Sequence, residues 1–237
     1  AELGKVVHPN EAADLKTLRA HRATVDGKPM RIVRGDFHRH TELSWDGGGT
    51  GDGNLQDFYR YMIDAASMDF GASTDHQGGA WPYWWWYSQK MTDMYHVPGM
   101  YEPIFGYERS SVYPNGHRNV FFARRSDSRV TPFHLRAGAQ GFGLPQGPMG
   151  DEPGVSTGEL VENDTKLLYE DIRPRNGIAI PHTSGTRMGT DWRDNSPDLE
   201  PVVEIFQGAR TNYEQLGAPL VADPQKDAQH IQQAGYQ

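Results

Sequence analysis

Short apolar runs recur along this chain, and each has the length of a β-strand rather than that of a long helix. Between the runs 31–37 and 68–74, residues Leu55, Phe58 and Met62 are spaced as on one face of a helix. A strand, a helix and a second strand in this order favour a parallel pair, because parallel strands need a crossover connection. Repeated units of this kind predict an α/β fold, either a barrel or a doubly wound sheet.

The same alternation continues towards the end of the chain. Further strands are predicted over 100–110, 116–124, 176–183 and 201–208. Further helices are predicted over 81–97, 157–171 and 224–234.

The domain organisation predicted from these elements is simple. Residues 1–29 are polar and are predicted to be a lead-in segment with one short helix. Residues 30–237 are predicted to form the main domain. Within it, residues 137–158 carry many Gly and Pro, which indicates an insertion or a lid.

Composition narrows the chemistry that this domain can perform. The 237 residues carry a net charge of −8, which argues against a surface that coats nucleic acid. No run reaches the roughly 18 apolar residues that a membrane span requires. The chain has no cysteine, so disulfides, thiolate zinc sites and cysteine nucleophiles are all excluded. Any metal must therefore be bound by histidine and carboxylate side chains.

Half of the ten histidines lie at the starts or ends of predicted strands: His38, His40, His76, His117 and His182. Side chains two apart on a strand point the same way, so His38 and His40 can reach one ion. The carboxyl ends of parallel strands in a barrel share one face, where active sites are built. Imidazole and carboxylate without thiolate suit Zn, Mn or Fe and leave room for several ions.

Several motifs of the chain resemble those of a known family. They are GDFHRHTELSWDG (35–47), STDH (73–76), FGYERS (105–110), GHRNV (116–120) and AIPHTS (179–184). In this order they resemble the motifs of the PHP (polymerase and histidinol phosphatase) superfamily. They look most like an uncharacterised bacterial branch defined only as a domain of unknown function (DUF3604). The segments YPNGHRNVFF, PHTSGTRMGTDWRDN and EPVVEIFQGARTNYE resemble that branch too, and the likeness covers roughly residues 30–237.

The resemblance implies a distorted (β/α)7 barrel with two or three divalent metal ions (Zn, Mn or Fe) at the carboxyl ends of its strands. It implies metal ligands at His38, His40, Asp46, His76, Glu108, His117 and His182. Glu108 would bridge two ions, and Asp75 would be a supporting group. These two carboxylates are the candidate catalytic residues.

The chain departs from the family in its last motif. The family carries an Asp-x-His or Asp-His pair on the final strand, and nothing after His182 matches it. His230 follows Gln229 in a predicted polar helix. We therefore expect one of two explanations. Either the chain is a fragment of a longer protein and the barrel lacks its last strand or strands, or the site is incomplete.

The function predicted from a complete site is hydrolysis of a phosphomonoester or phosphodiester, with a metal-bound hydroxide as the nucleophile. The substrate would be a small anionic molecule. Arg109, Arg118 and Arg187 lie next to motif residues and are predicted to bind its phosphate. The alternative for each arginine is that it faces solvent or pairs with an acidic residue.

Two other functions stay open at this point. An amidohydrolase-like barrel also begins with HxH and cleaves C–N or C–O bonds, but it often relies on a carboxylated lysine. No lysine lies near a predicted strand end here. The absent last motif also fits a metal-binding domain without turnover. The aromatic run WPYWWWY (81–87) is predicted either to pack in the core or to line a substrate pocket.

Overall fold

The computed structural model describes residues 9–44, 53–76, 82–111, 115–131, 164–183, 190, 192 and 195–204. Its helices are α1 (Glu11–Ala20), α2 (Leu55–Arg60), α3 (Pro82–Met94) and α4 (Asp164–Ile172). Its strands are β1 (Ala23–Val25), β2 (Lys28–Met30), β3 (Gly35–Asp36), β4 (Phe70–Gly71), β5 (Glu102–Pro103), β6 (Phe105–Ser110), β7 (His117–Phe122) and β8 (Ile178–Pro181). The predicted insertion 137–158, the helix 224–234 and residues 205–208 of the last predicted strand lie outside the described residues. Residues 201–204 of that predicted strand are described and are not in a strand.

The lead-in segment contains the short helix predicted for it and a hairpin that was not predicted. No residue of α1 is buried, and every residue of β1 and β2 is exposed. Asp26 and Gly27 join β1 to β2 with φ values of 49° and 75°. An Asp-Gly pair suits such a turn, because both central residues of this kind of two-residue hairpin need a positive φ.

A three-stranded parallel sheet begins the main domain, in the order β3-β4-β5. The parallel pairing of the first two predicted strands is therefore confirmed, although each is shorter than predicted. Gly35 pairs with Phe70, and a Cβ atom at Gly35 would lie 2.2 Å from the Phe70 ring. Only glycine fits at this contact, which explains why the apolar run contains one.

Helix α2 crosses from β3 to β4 as its sequence predicts. The side chain of Asn54 accepts a hydrogen bond of 2.8 Å from the Asp57 backbone N–H, so Asn54 is the predicted N-cap. Leu55 and Phe58 on the predicted apolar face are buried, as is Met62 in the π-helical turn that follows. Burial of this face holds the helix against the sheet.

A three-stranded antiparallel sheet follows, in the order β6-β7-β8. This arrangement differs from the alternating parallel units predicted from the sequence. The connection 111–116 between β6 and β7 is too short to contain a crossover helix, so the chain turns back as a hairpin. A parallel bridge between His76 and Glu108 joins the two sheets, and the Glu108 N–H donates to the Asp75 carbonyl at 2.9 Å.

The main core lies between this antiparallel sheet and α4. It contains Phe105, Tyr107, Val120, Phe122, Leu168, Tyr169, Ile172, Ala179 and Leu199. The described strands form one two-stranded and two three-stranded sheets, so the (β/α)7 barrel stays a prediction. None of the described helices combines the length and the apolar character that crossing a bilayer requires.

Helix α3 carries the aromatic run, and most of its rings are not core residues. Tyr83, Trp84 and Trp86 are 61%, 39% and 48% exposed. Trp85 and Tyr87 are partly buried and pack against core clusters, and Trp85 meets Tyr107 edge to face at 6.0 Å between ring centroids. Among the described residues of this helix, the buried ones are Ser88, Met91 and Thr92.

Candidate metal centre

Glu108 lies at the centre of the predicted histidine cluster. It is in β6 and is 1% exposed. Residues alternate between the two faces of a strand, so Glu108 shares a face with Ser110 and with their partners on β7, Asn119 and His117. Tyr107 is on the opposite face, in the core against α4. The strand therefore points one carboxylate away from the apolar core and towards the histidines.

Five histidines surround this carboxylate, and they divide between its two oxygens. Around Oε1 lie Nδ1 of His117 at 2.5 Å, Nδ1 of His76 at 3.3 Å and Nε2 of His182 at 3.4 Å. Around Oε2 lie Nε2 of His40 at 2.8 Å and Nε2 of His38 at 3.5 Å. Each oxygen of Glu108 thus belongs to its own group of imidazole nitrogens.

The strand directions explain how distant segments meet here. His38 and His40 follow β3, and His76 follows β4 at the bridge to Glu108. His182 follows β8, and its N–H donates to the His117 carbonyl at 3.3 Å. His117 instead begins β7, but β7 is antiparallel, so its start lies beside the ends of β6 and β8. All five predicted histidines are therefore brought together.

A seventh residue of the cluster, Glu204, was missed by the sequence reasoning. Its Oε2 lies 2.8 Å from Nδ1 of His38. Glu204 is the acidic residue in the otherwise apolar run PVVEIF (201–206). An acid inside an apolar run is the signal that could have identified it, since buried carboxylates need partners.

Asp75 supports the turn that follows His40. Its Oδ1 accepts hydrogen bonds from the Thr41 backbone N–H at 2.5 Å and from the Thr41 hydroxyl at 3.0 Å. Burial raises the pKa of Asp75 to about 6. This placement agrees with a supporting group, while a catalytic role for Asp75 stays a prediction.

Arg109 and Arg118 are paired with acidic residues on the other face of the sheet. Arg109 binds Asp164 through Nε at 3.0 Å and Nη2 at 2.5 Å, and Arg118 binds Glu200 through Nε at 2.5 Å. Each arginine is 1% exposed. Their predicted role in substrate binding stays a prediction, and the structure places both in the alternative role, a buried ion pair.

Two predicted site residues lie outside the described part of the chain. They are Asp46, predicted as a metal ligand, and Arg187, predicted as a phosphate-binding residue.

The pKa values of the cluster leave Glu108 ionised and His182 neutral, the states that bind cations, but leave His38 protonated at pH 7. Burial raises the pKa of Glu108, but neighbouring His182 and His117 outweigh burial and hold it well below the usual range. Burial lowers the pKa of His182 to about 4, so its ring is neutral at pH 7. Burial also lowers the pKa of His38, but Glu108 and Glu204 outweigh this effect and raise it to about 9. A cation here must displace the proton of His38.

Some spacings between the donor atoms are those of hydrogen bonds, such as 2.8 Å between His40 and Glu108, and others are those of two ligands on one divalent cation. Two ligand atoms about 2.1 Å from one ion lie about 3.0–3.4 Å apart. The contacts of Glu108 with His76 and His182, at 3.3 and 3.4 Å, match this spacing. Among the described residues, Glu108 Oε1 has no partner in hydrogen-bond geometry although three imidazoles surround it. An ion beside this oxygen would therefore lie within reach of the His76 and His182 nitrogens.

Three donor groups of the described residues could each hold an ion. They are His38, His40 and Glu108; His76, Glu108 and His117; and His38, His182 and Glu204. The first and second groups share Glu108, which makes it a bridge between two positions. The side chains of His38, His40 and Glu204 are 16%, 16% and 19% exposed, whereas those of His76, His117 and His182 are 6%, 6% and 1% exposed. Solvent thus reaches the side of the centre formed by His38, His40 and Glu204, whereas the side formed by His76, His117 and His182 is buried.

Comparison of the chain with protein-family models, with curated proteins and with solved structures finds no match in any of the three. The function must therefore be argued from the geometry of the site.

Proposed function

We propose that this protein is a metal-dependent hydrolase that cleaves phosphomonoesters or phosphodiesters. One observation carries the proposal: the buried carboxylate of Glu108 presents each of its oxygens to a separate group of histidines. A carboxylate with a separate set of nitrogen ligands at each oxygen is suited to bridging two ions.

In this proposal each ion is assigned to one group of donor side chains. His38, His40 and Glu108 would hold one ion, and His76, His117 and Glu108 would hold the other. Nitrogen and oxygen donors without thiolate suit Zn, Mn or Fe. His182 lies beside Oε1 of Glu108 and would join the second group. A third ion at His38, His182 and Glu204 would require Glu204 to be a ligand.

The chemistry follows from this donor set. Paired divalent ions lower the pKa of water and offset the negative charge of a phosphate ester during in-line displacement. Glu108 and His182 are nearly inaccessible to solvent, so the substrate does not approach the centre from their side. The substrate then approaches from the side of His38, His40 and Glu204, the members of the centre that solvent reaches.

The fold belongs to the same proposal. A distorted (β/α)7 barrel of the PHP type is supported by the parallel order β3-β4-β5, by the His76–Glu108 bridge and by the motif resemblance. In this arrangement the histidines occupy one rim of the barrel.

The test is to measure bound metal and hydrolysis together. The full chain is stripped with a chelator, reloaded with Zn, Mn or Fe(II), and assayed on p-nitrophenyl phosphate and bis-p-nitrophenyl phosphate. We expect about two or three ions per chain and hydrolysis that depends on them. The variant Glu108→Gln should lose at least about 100-fold in metal affinity and its hydrolysis with it.

The matched control is Glu102→Gln, which removes a carboxylate from an exposed pair with His96 at 3.0 Å. This variant should bind metal and hydrolyse esters like the wild type. Hydrolysis of amides or lactones but not phosphates would point to the amidohydrolase-like class. Bound ions with no hydrolysis would point to a metal-binding domain, and a chain that binds no ion would overturn the proposal.

A further inference from the structure

His38 lies between two carboxylates that approach its ring from different sides. Nε2 of His38 faces Oε2 of Glu108 at 3.5 Å, and Nδ1 faces Oε2 of Glu204 at 2.8 Å. The two nitrogens of an imidazole ring point in different directions, so one can bind a cation while the other is hydrogen-bonded. The distance to Glu204 is that of an ordinary charge-assisted hydrogen bond.

The backbone that carries Glu204 is tied to the same sheet. The Glu204 N–H donates to the Pro181 carbonyl at 3.1 Å, and the Leu199 carbonyl accepts from the Ala179 N–H at 2.7 Å. Between these bonds, Glu200 forms the buried ion pair with Arg118. Segment 199–204 is thus attached to β8 and β7, and the position of the Glu204 carboxylate is defined by these bonds.

We propose that Glu204 is a positioning residue of the metal centre, which holds the His38 ring with Nε2 directed at the ion shared with Glu108. The inference rests on the proposed function, because it assigns a role towards an ion. A metal-ligating histidine commonly donates its other ring N–H to a carboxylate, which sets the tautomer and the orientation of the ring. Glu204 and His38 have this relationship in the present geometry.

A direct ligand role for Glu204 is the competing possibility. An ion held by His38, His182 and Glu204 would lie between Glu204 and the His38 ring, and it would use Nδ1 in place of the hydrogen bond. The positioning role keeps Nε2 of His38 for the ion next to Glu108 and His40. The two roles differ in the number of ions that the chain loses when Glu204 is removed.

The experiment compares Glu204→Ala, Glu204→Gln and wild type as full chains loaded with Zn. For Glu204→Ala we expect the same number of bound ions but an affinity about 10–100-fold weaker. Glu204→Gln retains an oxygen acceptor for Nδ1–H, so it should recover part of that loss. Nitrogen NMR of the loaded wild type should show His38 protonated at Nδ1 alone, and Glu204→Ala should lose this single state.

Glu102→Ala is the matched control, because it removes a carboxylate from the exposed His96 pair and should leave zinc affinity unchanged. A Glu204→Ala protein with wild-type zinc affinity would overturn the inference and leave the proposed function intact. Loss of one whole ion from Glu204→Ala would also overturn it, because that result makes Glu204 a ligand.

A double-mutant cycle in ion-free protein separates this inference from the proposed function. It compares the unfolding free energies of His38→Ala, Glu204→Ala and the double variant in the presence of a chelator. Non-additive effects support the contact that positions His38, and additive effects overturn it. A wild-type chain that binds no zinc overturns the proposed function, whatever the outcome of the cycle.

Discussion

At the scale of single residues, the chemistry depends on a carboxylate that stays ionised in a buried place. Transferring an isolated carboxylate from water into the protein interior is very costly, so Glu108 needs compensating positive charge. His38 supplies part of it, since its pKa is raised to about 9 by Glu108 and Glu204. His182 remains neutral because burial lowers its pKa to about 4. Neighbouring imidazoles thus have opposite protonation states in the ion-free protein at pH 7.

The raised pKa of His38 predicts how the stability of the ion-free protein changes with pH. Its ordinary value is 6.5, so the folded state binds the proton more tightly than the unfolded state does. The contribution of protonated His38 to the free energy of unfolding is fully present below pH 6.5 and is lost as the pH rises to about 9. We expect the free energy of unfolding to fall by about 2–3 kcal/mol across this window. Urea unfolding with a chelator present measures it.

A His38→Gln variant provides the comparison for this pH dependence. Its free energy of unfolding should change less between pH 6.5 and 9 than that of the wild type. An unchanged alkaline loss in the variant would mean that another group is responsible. On the acid side both proteins should lose stability as the pH falls from 6.5 towards 4, because buried His182 resists protonation.

At the scale of elements, the β6–β7 hairpin combines the site with a buried ionic layer. Its Glu108 face carries the candidate metal ligands Glu108 and His117, and its other face places Arg109 directly opposite Arg118. Like charges opposite each other on a sheet are destabilising, so each guanidinium needs a counter-charge. Asp164 at the start of α4 and Glu200 supply these counter-charges. Arg109 also donates to the Thr131 carbonyl at 2.7 Å, which ties the chain before α4 to the hairpin.

Removal of Arg109 should therefore destabilise the hairpin strongly. Arg109→Met leaves the carboxylate of Asp164 buried without its partner, and we expect a loss of about 3–5 kcal/mol in the free energy of unfolding. The double variant Arg109→Met with Asp164→Leu should be more stable than Arg109→Met alone, because the uncompensated charge is gone. Denaturant unfolding of the wild type, Arg109→Met, Asp164→Leu and the double variant measures both effects. Losses that simply add would contradict the assignment of a buried ion pair.

At the scale of the whole molecule, the candidate metal centre joins segments that are far apart in the chain. His38 and His182 follow strands of different sheets, yet their ring centroids are 4.2 Å apart. An ion bound by both side chains would bind the folded state much more tightly than the unfolded state, which does not hold them together. Metal binding and folding stability are therefore coupled.

This coupling predicts a thermal shift on metal addition. Free ion at 100 times its dissociation constant stabilises the folded state by about 2.7 kcal/mol for each site. For a chain of this size we expect each bound ion to raise Tm by about 5–10 °C. Calorimetry of the stripped protein with and without zinc measures the shift. Glu108→Gln should show a much smaller shift, and an equal shift in that variant would place the stabilising ion elsewhere.

Much of the local structure could be predicted from local patterns. The Asn54 cap, the apolar face beginning at Leu55 and the parallel pairing of β3 with β4 follow from residue type and spacing. The convergence of the five histidines also followed from their positions at strand termini. His117 converges for a different reason from the others, because it begins an antiparallel strand rather than ending a parallel one.

Other features needed the tertiary structure. The aromatic run in α3 was predicted either to pack in the core or to line a pocket, because its composition fits both. Only the tertiary structure shows that Trp86 is exposed and that Trp85 contacts Tyr107. The partners of Arg109 and Arg118 lie 55 and 82 residues away in sequence, too far for any local pattern to specify. Glu204 and His38 are 166 residues apart, so no local pattern could specify their contact either.

The sequence by itself determined the kinds of side chain that could form the centre and placed five histidines and Glu108 in it, because strand periodicity and the absence of cysteine leave histidine and carboxylate at the strand termini. The tertiary structure alone decided how they are shared: which oxygen of Glu108 faces which histidines, and which carboxylates face the arginines. The physical reason is that periodicity acts over a few residues, whereas electrostatic pairing in a buried site depends on strand direction and on contacts between distant segments.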